Sequence, residues 1–350
     1  MKWSLNRLLF LYLKEKVCYN LVGDNMNKME ELKTIIKESK KRIILPEGED
    51  NRVLEAASKV IEENLVDIII LGEKKDNYPN LSKATFINPK ELDLTYYINK
   101  LYELRKEKGL TIEEAKNLIE NDYMYLACLL VLDNKADGIV SGACHSSSNT
   151  LRPALQLIKG KEKLVSSFFL METNKVDLGE NGYFIFADCG LNQEPNSSDL
   201  ASIAKHSIDS YKQIIGDNPK VAFLSHSTYG SSKHAVVDKV KTATELAKVN
   251  NPNVLIDGEL QLDAAIIPEV AAIKCPNSPL QGKANILIFP NLDSGNIGYK
   301  LVERFAGAKA YGPLTQGLKY PVNDLSRGSS VDDIIGVIVI TALQAIKNMI

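Results

Sequence analysis

Four polar, small-residue stretches stand directly behind apolar runs, and each carries groups able to hold an anion or move a proton. SGACHSSSNT at 141–150 is followed by Leu151, Arg152 and Pro153. Small residues let a backbone approach an anion, and a helix beginning behind them offers unpaired N–H groups and a positive dipole end. Arg152 adds a planar fork suited to phosphate. The same small residues also serve as an ordinary helix cap, and the G-K-[ST] of a Walker A loop is absent. SHSTYGSSK at 225–233 and PNLDSGNIG at 290–298 repeat the pattern, the latter followed by Tyr299 and Lys300. Both read equally well as plain strand-to-helix loops.

The fourth stretch, 312–333, shows weak periodicity over 22 residues. Structureless loops beyond about 12–15 residues are uncommon in compact domains unless they serve function. This one contains Ser326, Arg327 and Gly328 and ends at Asp332 and Asp333, where a helical pattern begins. Ser330 and Asp333 fit S-x-x-[DE], so Asp333 reads as a helix cap as readily as a chemical group.

Other chemistries lack their signatures. H-E-x-x-H, paired C-x-x-C and an EF-hand loop are missing, so no metal site can be argued, and the absence of G-x-G-x-x-G weakens hydride transfer. His145 and His226 lie in candidate loops, whereas His206 falls within a helix and reads as structural. Cys144 and Cys189 have no adjacent base to activate them as nucleophiles. The odd set Cys18, Cys128, Cys144, Cys189 and Cys275 argues against a disulfide framework and for a reducing, cytoplasmic compartment.

The elements that must position these loops alternate. Helices are expected at 30–40, 51–63, 91–108, 112–132, 150–159, 198–215, 234–249, 293–305 and 332–347. Strands are expected at 42–46, 66–71, 137–141, 165–171, 182–188, 220–225, 253–257, 285–289 and 308–311. Apolar strands flanked by helices indicate a mostly parallel sheet covered on both faces. The adjacent strands near 165–188 suggest an antiparallel pair where a second lobe begins. The 350-residue length favours two lobes, since single cores stop growing near about 250–300 residues. No apolar run approaches the roughly 18–20 residues of a membrane span. Residues 1–25 lack the cleavage site of a signal peptide and read as an extension outside the fold. A net charge of −2 excludes nucleic-acid binding by bulk charge. Of 42 basic residues only seven are arginine: Arg7, Arg42, Arg52, Arg105, Arg152, Arg304 and Arg327. Each is therefore a candidate anion ligand.

Together PEGEDNRVL (46–54), YELRKEKG (102–109), SGACH (141–145), SGNIGYK (294–300) and PVNDLSRG (321–328) resemble the phosphate acetyltransferase family. The resemblance implies a two-lobed α/β fold like that of isocitrate and isopropylmalate dehydrogenases, with mostly parallel sheets and an interdomain cleft. Residues 26–162 with 317–350 would form the lobe carrying the catalytic loop, and 163–316 the second, dimer-forming lobe. It implies acetyl-CoA + phosphate ⇌ acetyl phosphate + CoA, by direct attack in a ternary complex. Acetyl-CoA or CoA enters as substrate, without a tightly bound cofactor. The family's catalytic serine and adjacent arginine fall on Ser326 and Arg327, its catalytic aspartate on Asp333, and two substrate-binding arginines on Arg105 and Arg152. A cytoplasmic homodimer coupled to acetate kinase in acetate metabolism, with no nucleic-acid or membrane partner, completes the expectation. Phosphate butyryltransferase and a non-catalytic acetyl-CoA-binding domain are the alternatives. Departures are small: NQEP at 192–195 replaces a more proline-rich turn, and Ser329 stands where cysteine is frequent.

One magnitude constrains the chemistry. Moving a proton from a thiol near 8.5 to an aspartate near 3.9 is uphill by roughly 6 kcal/mol. Asp333 can act as the base only if it is poorly solvated, or if nearby arginines favour the thiolate.

Overall fold

The computed structural model describes residues 27–160 and 162–347, and the 1–25 extension lies outside the described residues. Within them, 27–162 together with 318–347 build one compact unit and 163–317 a second. Labels below run in chain order through both units.

The first unit is an alternation of strands and helices. It runs α1 (Lys28–Glu38), β1 (Arg42–Leu45), α2 (Asn51–Glu62), β2 (Asp67–Leu71) and β3 (Thr85–Ile87). It continues with α3 (Thr95–Arg105), α4 (Ile112–Asn121), α5 (Tyr123–Leu132), β4 (Gly138–Ser141) and α6 (Ser147–Leu157), then closes with β11 (Val322–Asp324) and α12 (Val331–Lys347). The sheet order is β11-β4-β1-β2-β3, with every pairing parallel. Strands such as DIIIL are apolar on both faces because helices cover both faces. Helix α5, YMYLACLLVL, is apolar all round and buried along almost its whole length, as a helix inside a core must be.

Two expectations change here. The helix expected over 112–132 is two helices, because Asp122 leaves the helical conformation and its side chain accepts the Met124 N–H at 3.1 Å to cap α5. The long loop at 312–333 contains the end of one strand and all of β11. Three residues are too few to register a period of two, yet Asn323 and Asp324 pair in register with Val140 and Ser141 of β4.

The second unit holds β5 (Ser166–Glu172), β6 (Tyr183–Ala187), α7 (Ser197–Ile214), β7 (Lys220–Leu224), α8 (Ala235–Asn250) and β8 (Leu255–Leu260). After these come α9 (Leu262–Ile266), α10 (Pro268–Lys274), β9 (Ile286–Ile288), α11 (Leu292–Ala306) and β10 (Lys309–Gln316). Its sheet runs β10-β5-β6-β9-β7-β8. The expected antiparallel pair is present as β5 and β6, with β10 antiparallel to β5, while β6, β9, β7 and β8 are mutually parallel. The α/β class with mostly parallel sheets is thus borne out. Among the described residues no helix is long and apolar enough to cross a membrane.

Candidate functional site

All five residues singled out from the sequence fall in the first unit, on segments at the carboxyl ends of its strands or at helix ends. Two neighbouring strands matter most. From β4 the chain passes through 142–146 into α6, and from β11 through 325–330 into α12. The first loop is tight at its root. Gly142 has φ +112°, and a Cβ there would lie 2.7 Å from the Leu325 nitrogen and run into Asp324 Oδ1. Only glycine fits this position.

Glu47, just past β1, holds the rest of that loop. Its buried carboxylate accepts the N–H groups of Gly142 and Ala143 at 2.8 Å, Cys144 at 3.0 Å and His145 at 3.1 Å. His145 Nδ1 lies 2.8 Å from the same group. Burial works to raise the Glu47 carboxyl, yet these N–H groups and the His145 ring outweigh it and hold the carboxyl below its ordinary value. Cys144 Sγ stands 3.3 Å from Glu47 and 3.5 Å from Glu49. Burial and both carboxylates push that thiol up, the opposite of what a nucleophile needs. Glu47, Cys144 and His145 have the spacing of metal ligands, but the Glu47 oxygens already accept main-chain donors.

The second loop makes a turn in which Ser329 N–H donates to the Ser326 carbonyl at 2.9 Å and Gly328 N–H to Ser326 Oγ at 3.3 Å. Ser326 and Arg327 are exposed on it. Asp333 is half-buried, and its Oδ2 accepts both the N–H and the hydroxyl of Ser330, at 2.8 and 2.7 Å. In return Ser330 Oγ accepts the Asp333 N–H at 3.2 Å, completing a capping box at the start of α12. The capping reading is therefore realised. The poorly solvated carboxylate expected of a thiol base is not what this turn presents.

Arg152 stands in the second turn of α6, exposed, with Nη2 donating to Asn149 Oδ1 at 3.2 Å. Arg105 ends α3. Burial raises the Tyr125 hydroxyl of α5, and the positive charges of Arg152 and Arg105 work against that rise. Among the described arginines the division is sharp. Arg42 is paired with Asp137 at 2.9 Å, Arg52 with Asp50 at 2.7 Å, and exposed Arg304 lies 3.5 Å from Glu303. Arg105 and Arg327 carry no side-chain hydrogen bond or ion pair among the described residues, and Arg152 carries only the one to Asn149.

Sequence reasoning passed over Asp324, the last residue of β11. It is buried, and its oxygens have no hydrogen bond, as is also true of the buried Ser141 and Thr150 hydroxyls. Burial pushes its carboxyl up to about 6, against a partial offset from the nearby Ser147 and Thr150 hydroxyls and the Leu325 N–H, which lie close without completing a hydrogen bond of good geometry, and the Glu47 charge adds to the rise. A carboxylate inside PVNDLSRG gives no sign in sequence of which face it takes. The loops at 225–233 and 290–298 belong to the second unit. There Glu259 accepts Gly230 N–H at 2.7 Å and Ser227 Oγ at 2.9 Å, and Asn291 caps α11 by accepting Ser294 N–H at 3.0 Å. His206 is buried in α7 with Ser166 Oγ at 3.2 Å, a structural role.

Loops of small residues behind two strands of a parallel sheet, two helix N-termini and three arginines with no acidic partner among the described residues make up a candidate anion site in an α/β protein. Comparison with known proteins makes this specific. Residues 27–342 match the family described as Phosphate acetyl/butaryl transferase, and the chain belongs to that family. It is 52% identical over 318 residues to the phosphate acetyltransferase of Thermoanaerobacterium thermosaccharolyticum, covering 88% of this chain and 96% of that one. A solved phosphotransacetylase from Streptococcus pyogenes is 42% identical with a TM-score of 0.84, covering 91% of this chain and 98% of its own. A branched-chain phosphotransacylase from Enterococcus faecalis, at 20% identity and TM-score 0.67 over 87% of this chain and 99% of its own, shares the fold.

Proposed function

We propose that this chain transfers an acetyl group reversibly between CoA and inorganic phosphate. Family membership carries the reading, and the availability of Arg105, Arg152 and Arg327 supports it, since both substrates are polyanions. In the forward direction a phosphate oxygen attacks the thioester carbonyl within a ternary complex. The tetrahedral intermediate collapses with C–S cleavage, and the thiolate leaves. Arg327 offsets charge on phosphate and on the developing oxyanion, and Ser326 donates a hydrogen bond to it. Arg105 and Arg152 hold the phosphates of CoA. In the reverse direction the CoA thiol gives up its proton and attacks the carbonyl of acetyl phosphate, and phosphate leaves as the C–O bond breaks. With Asp333 engaged by Ser330, the roughly 6 kcal/mol uphill transfer of that proton to Asp333 is met mainly by arginine charge favouring the thiolate.

The second unit supports a homodimer. Helix α11 buries only Gly295 and Tyr299, and leaves Ile297, Leu301 and Phe305 exposed along one stripe. Free Cys128, Cys144, Cys189 and Cys275 fit a reducing cytoplasm. The product, a mixed anhydride, calls for a phosphoryl-accepting enzyme such as acetate kinase.

The test is CoA release from acetyl-CoA with and without phosphate, run beside butyryl-CoA. Phosphate-dependent release with acetyl-CoA preferred is expected. Release independent of phosphate would end this reading, and preference for butyryl-CoA would move it to the longer-chain members of the family.

A further inference from the structure

Arg52, in the first turn of α2, uses every N–H bond its guanidinium has. Nε and Nη2 donate to the Asp50 carboxylate at 3.2 and 2.7 Å. Nη1 donates to the carbonyls of Arg327 at 2.8 Å and Ser329 at 3.0 Å, and Nη2 to the carbonyl of Ala143 at 2.7 Å. Asp50 is itself fixed as the N-cap of α2, accepting the Arg52 N–H at 2.8 Å. The fork is therefore aimed before any substrate arrives. Five residues earlier, Glu47 accepts the N–H groups of 142–145. One short segment thus grips the first loop by both its donors and its acceptors, and ties the second loop to it.

A guanidinium with no donor left cannot also hold a substrate phosphate. We infer that Arg52 is a positioning residue for acyl transfer, fixing the main chain that carries Ser326 and Arg327 against the loop that leads to Arg152. The Ser326 turn has only two short-range bonds of its own, so without Arg52 its exposed side chains lose a common frame. A displacement of about 1 Å at a reacting group can cost about 10²-fold in rate. Lysine cannot substitute, because three donors on a tetrahedral head do not reach three carbonyls and a carboxylate in one plane. This inference rests on the acetyltransferase reading.

The experiment compares Arg52→Ala, Arg52→Lys and Ser326→Ala in the full chain, each checked by circular dichroism and assayed below its melting temperature. Arg52→Ala is expected to lose about 10²-fold in kcat with the KM for acetyl-CoA changed by less than about threefold. Arg52→Lys should recover only part of the loss, and it serves as the reporter if the alanine variant does not fold. Millimolar guanidinium should raise turnover in Arg52→Ala and leave Ser326→Ala unimproved, which a merely structural role would not produce. Wild-type kcat in Arg52→Ala beside an impaired Ser326→Ala overturns the inference, as does a loss confined to KM or the absence of rescue. Normal turnover in Ser326→Ala instead overturns the assignment of the site itself.

Discussion

Arginine is scarce enough in this chain that the partner of each one carries meaning. Arg42 closes a pair with Asp137 beside β1, and Arg52 is consumed by Asp50 and three carbonyls, whereas among the described residues Arg105, Arg152 and Arg327 keep most of their donors unused. Hydrogen bonds to charged groups contribute about 1.5–3 kcal/mol each. Arg105→Gln and Arg152→Gln should therefore raise the KM for acetyl-CoA by roughly 10–100-fold, while Arg304→Gln leaves steady-state kinetics unchanged. An unaltered KM in both site variants would remove them from substrate binding. Asp333 needs a different comparison, because its carboxylate caps α12 and is also the group proposed to take the thiol proton. Ser330→Ala removes the capping partner and should cost about 1 kcal/mol of stability with most turnover kept. Asp333→Asn should lower kcat by about 10²-fold or more if it takes the thiol proton. Equal turnover losses in the two variants would mean that the cap, not the proton, is what Asp333 supplies.

At the scale of elements, the parallel sheet and its covering helices were legible because burial on both faces makes strands apolar and leaves helices periodic. What could not be read were features set by contacts distant in sequence. β11 is three residues long and exists because β4 pairs with it. The split of 112–132 turns on one aspartate choosing a cap over a helix. Within the site, Ser326, Arg327 and Asp333 were reached through a resemblance alone, and their roles stand as proposals. The roles of Glu47 and Arg52 were not, because no spacing within 46–54 signals that they reach loops some 95 and 275 residues away. Asp324 is the clearest hidden feature, and it makes a pH prediction. Its carboxyl sits at about 6 in the folded chain against about 3.9 unfolded. The native state thus binds the proton more tightly, and stability is fully kept below about 3.9 and falls as pH rises through about 6. The shift corresponds to about 2–3 kcal/mol. Asp324→Asn should consequently melt roughly 4–8 °C higher than wild type at pH 8 and show little gain at pH 4. Melting curves at the two pH values decide it; a gain of equal size at both would trace the effect to packing rather than to charge.

On the scale of the whole molecule, a net charge of −2 leaves no general attraction for anionic substrates, so positive charge must act through placement. The same reasoning applies to apolar surface. Most large apolar side chains are buried, which makes the stripe on α11 conspicuous: Ile297 is 58% exposed, Leu301 49% and Phe305 87%. They are spaced by four residues, so they share one face, while Gly295 and Tyr299 pack inward and Tyr299 stacks on Phe169 with ring centroids 3.9 Å apart. A helix of fifteen residues that buries only two and presents three large apolar groups to water is unfavourable unless another surface covers it. A second copy meeting it across a two-fold axis satisfies both chains with one patch. Leu301→Glu with Phe305→Glu should place two buried charges on each side of that axis and shift the protein from dimer to monomer in sedimentation velocity. Far-UV circular dichroism should stay unchanged, because Phe305 is 87% exposed and Leu301 about half exposed, so neither belongs to the buried core. The melting temperature of the wild type should rise with protein concentration, and that of the double variant should not. A double variant that still sediments as a dimer would overturn the proposal that α11 forms the interface, and a wild type that sediments as a monomer would overturn the dimer itself.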